Sequence, residues 1–259
     1  MVETGIYSDI SNWQYHNDPE YYALSGSMLA RLESSPAHLK SSIASKEPPS
    51  AEMVFGSAFH TYVLQPENIP KEIKVQKTVK KADRDELALS QGISLITPDQ
   101  EDMIFCMQES LKASQTASGL INHPDSIKEQ SVFWNEATYG FRCKCRTDIT
   151  IPSLGVLVNL KTTKNAQPNK FLNDALYNYN YFGKSAWELT GINAVQEKYY
   201  QTFLYICVEK SPPYAVAVYR ATQIRLDDAR TKIRPLLALY AECLKNDNFP
   251  GYPDEIMDL

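Results

Sequence analysis

The chain has 259 residues, 43% of them hydrophobic, and a formal net charge of -5. That is enough apolar material for one large core or two small ones, and the charge argues against a protein that coats nucleic acid through bulk positive potential. No apolar run approaches the roughly 20 residues needed to cross a bilayer, and the start MVETGIYSDI has neither a basic beginning nor an apolar centre. We therefore expect one α/β domain over 1–259, with an N-terminal arm and short helix in 1–50 and the core in 51–259. The expected location is the cytoplasm, with no membrane partner. Five cysteines (Cys106, Cys143, Cys145, Cys207 and Cys243) are odd in number and scattered. They read as ordinary buried thiols of a reducing compartment; Cys143 and Cys145 share a strand face but form no CxxC pair.

In chain order, an irregular aromatic-rich stretch with Trp13, Tyr15, Tyr21 and Tyr22 leads to a short helix capped by Ser25 or Ser27 and stopped at Ser35-Pro36. Those aromatics suit packing of the arm onto the body better than base stacking. Between Ala51 and Gln65, Phe55, Phe59, Tyr62 and Val63 fall at helical spacing and mark a buried face. Gly56, one turn before His60, points to close approach of another backbone or of substrate. His60 itself is either a hydrogen-bonded core residue or a ligand, and the pattern leaves both open. Residues 71 to 96 are polar and read as a mobile surface connection. Thr97-Pro98-Asp99-Gln100 carries the cap, first-turn proline and capping-box glutamine of a helix start.

The run EQSVFWNEATYGFRCKCRTDI reads as two strands joined near Tyr139-Gly140. Glu129 at its head is a further metal ligand or a strand-edge charge. Beyond the hairpin described next, we expect helices from Pro168 to Tyr177, from Lys184 to Leu189 and from about Asp227 to Lys245. Strands are expected at Tyr200–Val208 and Tyr214–Tyr219. The sum is a mixed central β-sheet flanked by helices.

The most informative stretch is Phe141 to Thr163, where two runs of branched residues flank the turn Pro152-Ser153-Leu154-Gly155 and predict a hairpin. Alternation puts Asn159 and Lys161 on one face, and the partner strand brings Asp148 to them. An acid, a second oxygen ligand and a lysine suit metal-assisted phosphodiester hydrolysis: oxygen donors hold Mg²⁺ or Mn²⁺, and the lysine steadies the attacking water or the charge growing on phosphate. Asn159 offers an oxygen without a charge, so the cation is expected to be held less well. From Phe141 to Lys170 there are six cations (Arg142, Lys144, Arg146, Lys161, Lys164 and Lys170) against one acid, Asp148. Such a run is a solvated face or a phosphate-contacting one.

The motifs in order resemble one family, the RecE-type, exonuclease VIII-like nucleases of phages and prophages, within the PD-(D/E)XK superfamily. The resemblance runs through ISNWQYHNDP, SSPAHLK, FGSAFHTYVLQPE, EQSVFW, GFRCKCRTD, NLKTT, FLYICVEKSPPYAVAVYR and YAECLKNDNFPGYP, nearly the whole chain. It implies a restriction-endonuclease-like core with His60 at the active site and Glu129 supporting it. Asp148 would be the first metal-binding acid, position 159 the second, and Lys161 the lysine of the motif, with the carbonyl of Leu160 open to the metal. Such enzymes resect one strand of duplex DNA from its 5′ end, require Mg²⁺, form rings and work with a strand-annealing partner in a bacterial host.

Three places depart from that pattern: Thr147 replaces a proline, Asn159 an aspartate, and Tyr181-Phe182-Gly183-Lys184 a Tyr-His-x-Gln segment. Two readings follow. One is an exodeoxyribonuclease slowed by Asn159, with Arg142, Lys144, Arg146, Lys164 and Lys184 toward DNA and Lys184 supplying charge near the scissile phosphate. The other is a protein on the same fold that binds DNA ends without cutting them.

Overall fold

The computed structural model describes residues 2–45 and 47–256. Its strands are β1 (Gly5–Tyr7), β2 (Leu24–Ser25), β3 (Ile73–Val75), β4 (Ser94–Ile96), β5 (Ile127–Asn135), β6 (Arg142–Ile151), β7 (Val156–Thr163), β8 (Thr202–Glu209) and β9 (Val216–Arg220). The main sheet runs β1-β5-β6-β7-β8-β9, with β2 against β6. β5, β6 and β7 are antiparallel neighbours, whereas β7 and β8 are parallel, so the sheet is mixed. The parallel pair needs a crossover, which the helix Tyr181–Val195 supplies on the way from β7 to β8. The hairpin turns through a short 3₁₀ segment, Pro152–Leu154, and closes at Gly155 with φ of 63°. A side chain there would be strained, and its Cβ would sit 3.1 Å from the Tyr199 carbonyl oxygen.

Alternation along β7 and β8 sorts the core into two layers. Val158, Leu160, Ile206 and Val208 pack with Phe55, Phe59, Ile104 and Met107 from the helices Ala51–Leu64 and Pro98–Ala113. On the other face Leu157, Phe203, Tyr205 and Cys207 pack with Trp187, Leu189, Ile192, Leu226 and Tyr240 from Tyr181–Val195 and Gln223–Asn246. A helix, sheet, helix sandwich results.

β6 positions the site. One edge of it pairs with β5 on both sides of Asp148. The other pairs with β7 only through Ile149, Thr150 and Ile151, and with β2 only through Cys143 and Lys144. The edge from Cys145 to Asp148 is a notch between two neighbours. The strand also bends there: Thr147 Oγ1 and Thr150 Oγ1 lie 3.1 Å apart. In a regular strand, residues three apart point to opposite faces about 10 Å from one another. Across the ladder, Glu129 has φ of 55° and is skipped between the pairs Lys128 with Ile149 and Gln130 with Thr147.

Several expectations are corrected by the structure. The stretch 71 to 96 is ordered as β3, the helix Lys81–Gln91 and β4, because Trp13 donates from Nε1 to the Leu89 carbonyl (2.9 Å) and Leu95 and Ile96 are buried. The described residues before position 50 join the main sheet through β1 and β2 and carry two further helices, Asn12–Asn17 with a Ser11/Gln14 capping box and Pro36–Ala44. The crossover helix starts earlier and ends later than Lys184 to Leu189, capped by Asn180, and the last helix starts at Gln223, capped by Thr222.

The glycines of the two helices facing the notch differ. A Cβ on Gly191 would meet Trp134 Cζ3 at 2.5 Å and Cys145 Sγ at 2.9 Å, so this glycine lets the crossover helix lie close on β5 and β6. A Cβ on Gly56 would meet no described atom within 4 Å, and Gly56 lines the cavity at the notch. Gly191→Ala is expected to destabilise by about 1–3 kcal/mol despite alanine's better helix propensity. Gly56→Ala should be neutral or stabilise by up to about 1 kcal/mol. Urea unfolding of the two variants checks both.

Candidate active site

A cavity of about 300 Å³ opens at the notch, lined by His60, Glu129, Asp148, Lys184 and Glu188 among others. Asp148 reaches it from the bend in β6. Its Oδ2 accepts from the Leu160 N–H (2.8 Å), a donor that β6 no longer pairs with. His60 comes from the helix below, held by Phe55, Phe59 and Tyr62 in the core. Its Nε2 lies 2.8 Å from the Leu160 carbonyl oxygen and 3.8 Å from Asp148 Oδ2. A carbonyl only accepts, so Nε2 carries a proton in this arrangement. The other ring nitrogen, Nδ1, is 3.4 Å from Glu129 Oε1.

Glu129 is held from behind. Arg146 Nε donates to its Oε2 (2.8 Å), while Arg146 Nη1 donates to the Ile10 carbonyl (2.9 Å) and Ser131 Oγ (2.7 Å). Left-handed backbone at a non-glycine costs on the order of 1–3 kcal/mol. It aims this carboxylate at His60.

The charges interlock. Burial works against a cationic His60, yet Asp148 and Glu129 outweigh it and hold the imidazole pKa above its ordinary value. Burial also works against the Glu129 charge, but His60 and Arg146 hold that carboxyl below its usual range. For Asp148 burial prevails over the nearby His60 and Lys161 charges, and its pKa is raised. His60, Glu129 and Asp148 each offer a ligand atom, all within 4.8 Å of one another. One imidazole, two carboxylates and the adjacent Leu160 carbonyl form a nitrogen and oxygen donor set that fits a divalent cation such as Mg²⁺ or Mn²⁺.

Asn159 and Lys161 lie on the β7 face opposite Val158 and Leu160, as alternation requires. Lys161 Nζ is 5.5 Å from the Tyr181 ring centroid, and its charge acts on both Asp148 and His60. Asn159 is 5% exposed, makes no side-chain hydrogen bond among the described residues, and is not among the residues lining the cavity. The structure thus brings together His60, Glu129, Asp148 and the Leu160 carbonyl and keeps Lys161 within electrostatic range, while Asn159, like Lys161, does not line the cavity.

The expected basic face divides. Lys144 is buried, with Nζ turned to the Tyr15 and Tyr21 carbonyls and 4.3 Å from the Tyr15 ring centroid. Arg146 is committed to Glu129, and Arg142 has two buried guanidinium nitrogens and lies 5.6 Å from the Phe133 ring centroid. These three charges serve the fold, because the N-terminal segment covers the strand they stand on. Lys164 and Lys184 are exposed.

Sequence reasoning overlooked two acids. Glu188 lines the cavity from the crossover helix, one turn after Lys184, and burial together with the Asp148 and Glu129 charges holds its carboxyl well above the usual range. The i, i+4 spacing from Lys184 was the available signal. Glu72 also lines the cavity and accepts from Thr61 Oγ1 (3.0 Å); nothing in its local sequence marks it.

Comparison with known proteins bears on the fold and the family. No curated protein matches the sequence. The crystal structure of a "Putative exonuclease" from Eubacterium rectale is similar over 97% of this chain and 92% of that one, at 14% identity and a TM-score of 0.66. A phage related exonuclease from Haemophilus somnus 129PT matches at 11% identity over 88% of this chain and 99% of that one, with a TM-score of 0.39. The first of these likenesses shows the fold. The family model described as a PDDEXK-like domain of unknown function (DUF3799) matches residues 25–257, nearly the whole sheet and the entire notch, and the chain belongs to that family.

Proposed function

We propose that this protein is a divalent-metal-dependent exodeoxyribonuclease acting on the ends of linear double-stranded DNA. The observation that carries the reading is the meeting of His60, Glu129, Asp148 and the Leu160 carbonyl at one cavity, with Lys161 in electrostatic range. Membership of a PDDEXK-like family and the likeness to a structure named as an exonuclease support it.

A bound Mg²⁺ or Mn²⁺ would supply Lewis acidity toward phosphate and lower the pKa of water. Asp148, with one oxygen tied to the Leu160 N–H, keeps its other lone pairs for the cation, beside the Leu160 carbonyl and His60. Glu129 and Arg146 fix the His60 ring, and Lys161 steadies the attacking water or the charge on the phosphate. Water adds to phosphorus, the bond to the leaving oxygen breaks, and the proton released by water balances the one that oxygen takes up. Following the RecE-type resemblance, we read the product as a resected end made 5′ to 3′ for phage-type recombination. The implied setting is a ring-shaped homo-oligomer in a bacterial cytoplasm with a single-strand annealing partner.

Asn159 favours a second reading, a DNA-end-binding or recombination-accessory protein that does not cut, because the strand position expected to carry an acid is uncharged.

With Mg²⁺ or Mn²⁺, a 5′-phosphorylated linear duplex should be shortened while a covalently closed circle stays intact. Asp148→Asn and Lys161→Ala should each slow the reaction by at least about 100-fold. Retention of linear ends on a gel shift with no product under either metal would select the second reading, and equal cutting of the circle would remove the requirement for ends. Millimolar Mn²⁺ should also raise the melting temperature of the unaltered protein and leave that of Asp148→Asn unmoved.

A further inference from the structure

The crossover helix holds Glu188 over the notch by contacts unrelated to its carboxylate. Trp187 Nε1 donates to the Lys144 carbonyl (2.9 Å), Cys145 Sγ lies 4.0 Å from the Glu188 carbonyl oxygen, and Gly191 allows the close approach to Trp134. The Glu188 side chain lines the same cavity as His60, Glu129 and Asp148. Among the described residues its carboxylate makes neither a hydrogen bond nor an ion pair, although Lys161 and Lys184 are near enough for their charges to act on it. Glu188 stands outside the 4.8 Å group formed by His60, Glu129 and Asp148, yet as a half-buried carboxylate without a donor, on which the Asp148 and Glu129 charges act, it is held against both desolvation and like-charge repulsion. A cation between the carboxylates removes both penalties, and Asn159 on β7 brings no charge to do its share.

We infer that Glu188 is a ligand of the divalent cation and supplies, from the helix side of the cavity, the second carboxylate that β7 lacks at Asn159. This rests on the metal-dependent reading above. The site is then closed by two elements, with Asp148 on β6 and Glu188 on the crossover helix, and the lysine of that helix, Lys184, stands one turn away in the lining of the same cavity. Moving an acid from strand to helix keeps the number of carboxylates facing the cation while changing which backbone carries one of them.

The test is calorimetric titration of the whole protein with Mn²⁺, with no DNA present, for the unaltered chain, Asp148→Asn, Glu188→Gln, and the double variant Asn159→Asp with Glu188→Gln. Glu188→Gln should weaken Mn²⁺ binding at least tenfold, and the double variant should recover most of that loss, which a purely structural role for Glu188 would not produce. The melting temperature without metal should be unchanged or higher in Glu188→Gln, since the amide removes a charge that burial disfavours; if that variant melts lower, Glu188→Ala is titrated in its place with the same tenfold loss expected. Binding by the Glu188 variant within twofold of the unaltered chain, while Asp148→Asn has lost it, overturns the assignment of Glu188 and leaves the metal site standing. Failure of the unaltered protein to bind Mn²⁺, or binding by Asp148→Asn equal to it, overturns both.

Discussion

The hydrogen bond from the Leu160 N–H to Asp148 Oδ2 is the contact on which both sheet and site depend. Counting from Ile151 and Val156, β6 and β7 are paired for three residues and then part, β6 continuing beside β5 and β7 beside β8. A strand that leaves its neighbour strands buried backbone donors, each costing about 1–3 kcal/mol if left unmet. Asp148 supplies the missing acceptor from a side chain. The carboxylate is therefore needed by the fold whatever its chemistry, and the fork it closes is where the cavity opens.

Leu160 is gripped on both of its main-chain polar groups, N–H by Asp148 and C=O by His60. That grip ties the helix Ala51–Leu64 to the middle of the sheet, and Glu129 carries the tie onward through Arg146 to the Ile10 carbonyl in the N-terminal segment. A chain of charge-assisted hydrogen bonds in a buried setting holds its members to narrow geometry. The left-handed conformation of Glu129 persists inside it, because relaxing the backbone would swing its carboxylate away from both Arg146 and His60.

What the sequence made legible follows from how local each signal is. The hairpin from Arg142 to Thr163 could be read because branched residues, a Pro and Gly turn and period-two alternation all lie within a few residues of one another. The helices opened by Ser50 and by Thr97 carry caps beside their apolar stripes. The notch was not legible. Strict alternation through β6 gives no warning that Thr147 and Thr150 turn toward each other. Nor could charge counting show that Lys144 and Arg146 face inward, because the groups that absorb them, Ile10, Tyr15 and Tyr21, lie more than a hundred residues earlier. Glu188 escaped for a related reason: its helix is defined by Trp187, Leu189 and Ile192 packing on the sheet, and only that packing reveals which side chains are left facing the cavity.

His60 shows how the protein keeps this acidic cavity folded. Arg146 acts on Glu129, Lys161 on Asp148 and Glu188, and Lys184 on Glu188, while Asp148 and Glu129 favour the protonated imidazole. The proton on Nε2, however, occupies the lone pair through which that nitrogen would bind a cation, and it is spent on the Leu160 carbonyl, itself an oxygen suited to the same ion. Nε2 can serve the proton or a metal, not both. The contacts that stabilise the cavity in the described structure are therefore the ones that would have to be exchanged when it is loaded. Glu129 and Arg146, which hold the ring through Nδ1 and from behind, are placed to keep His60 in position through that exchange.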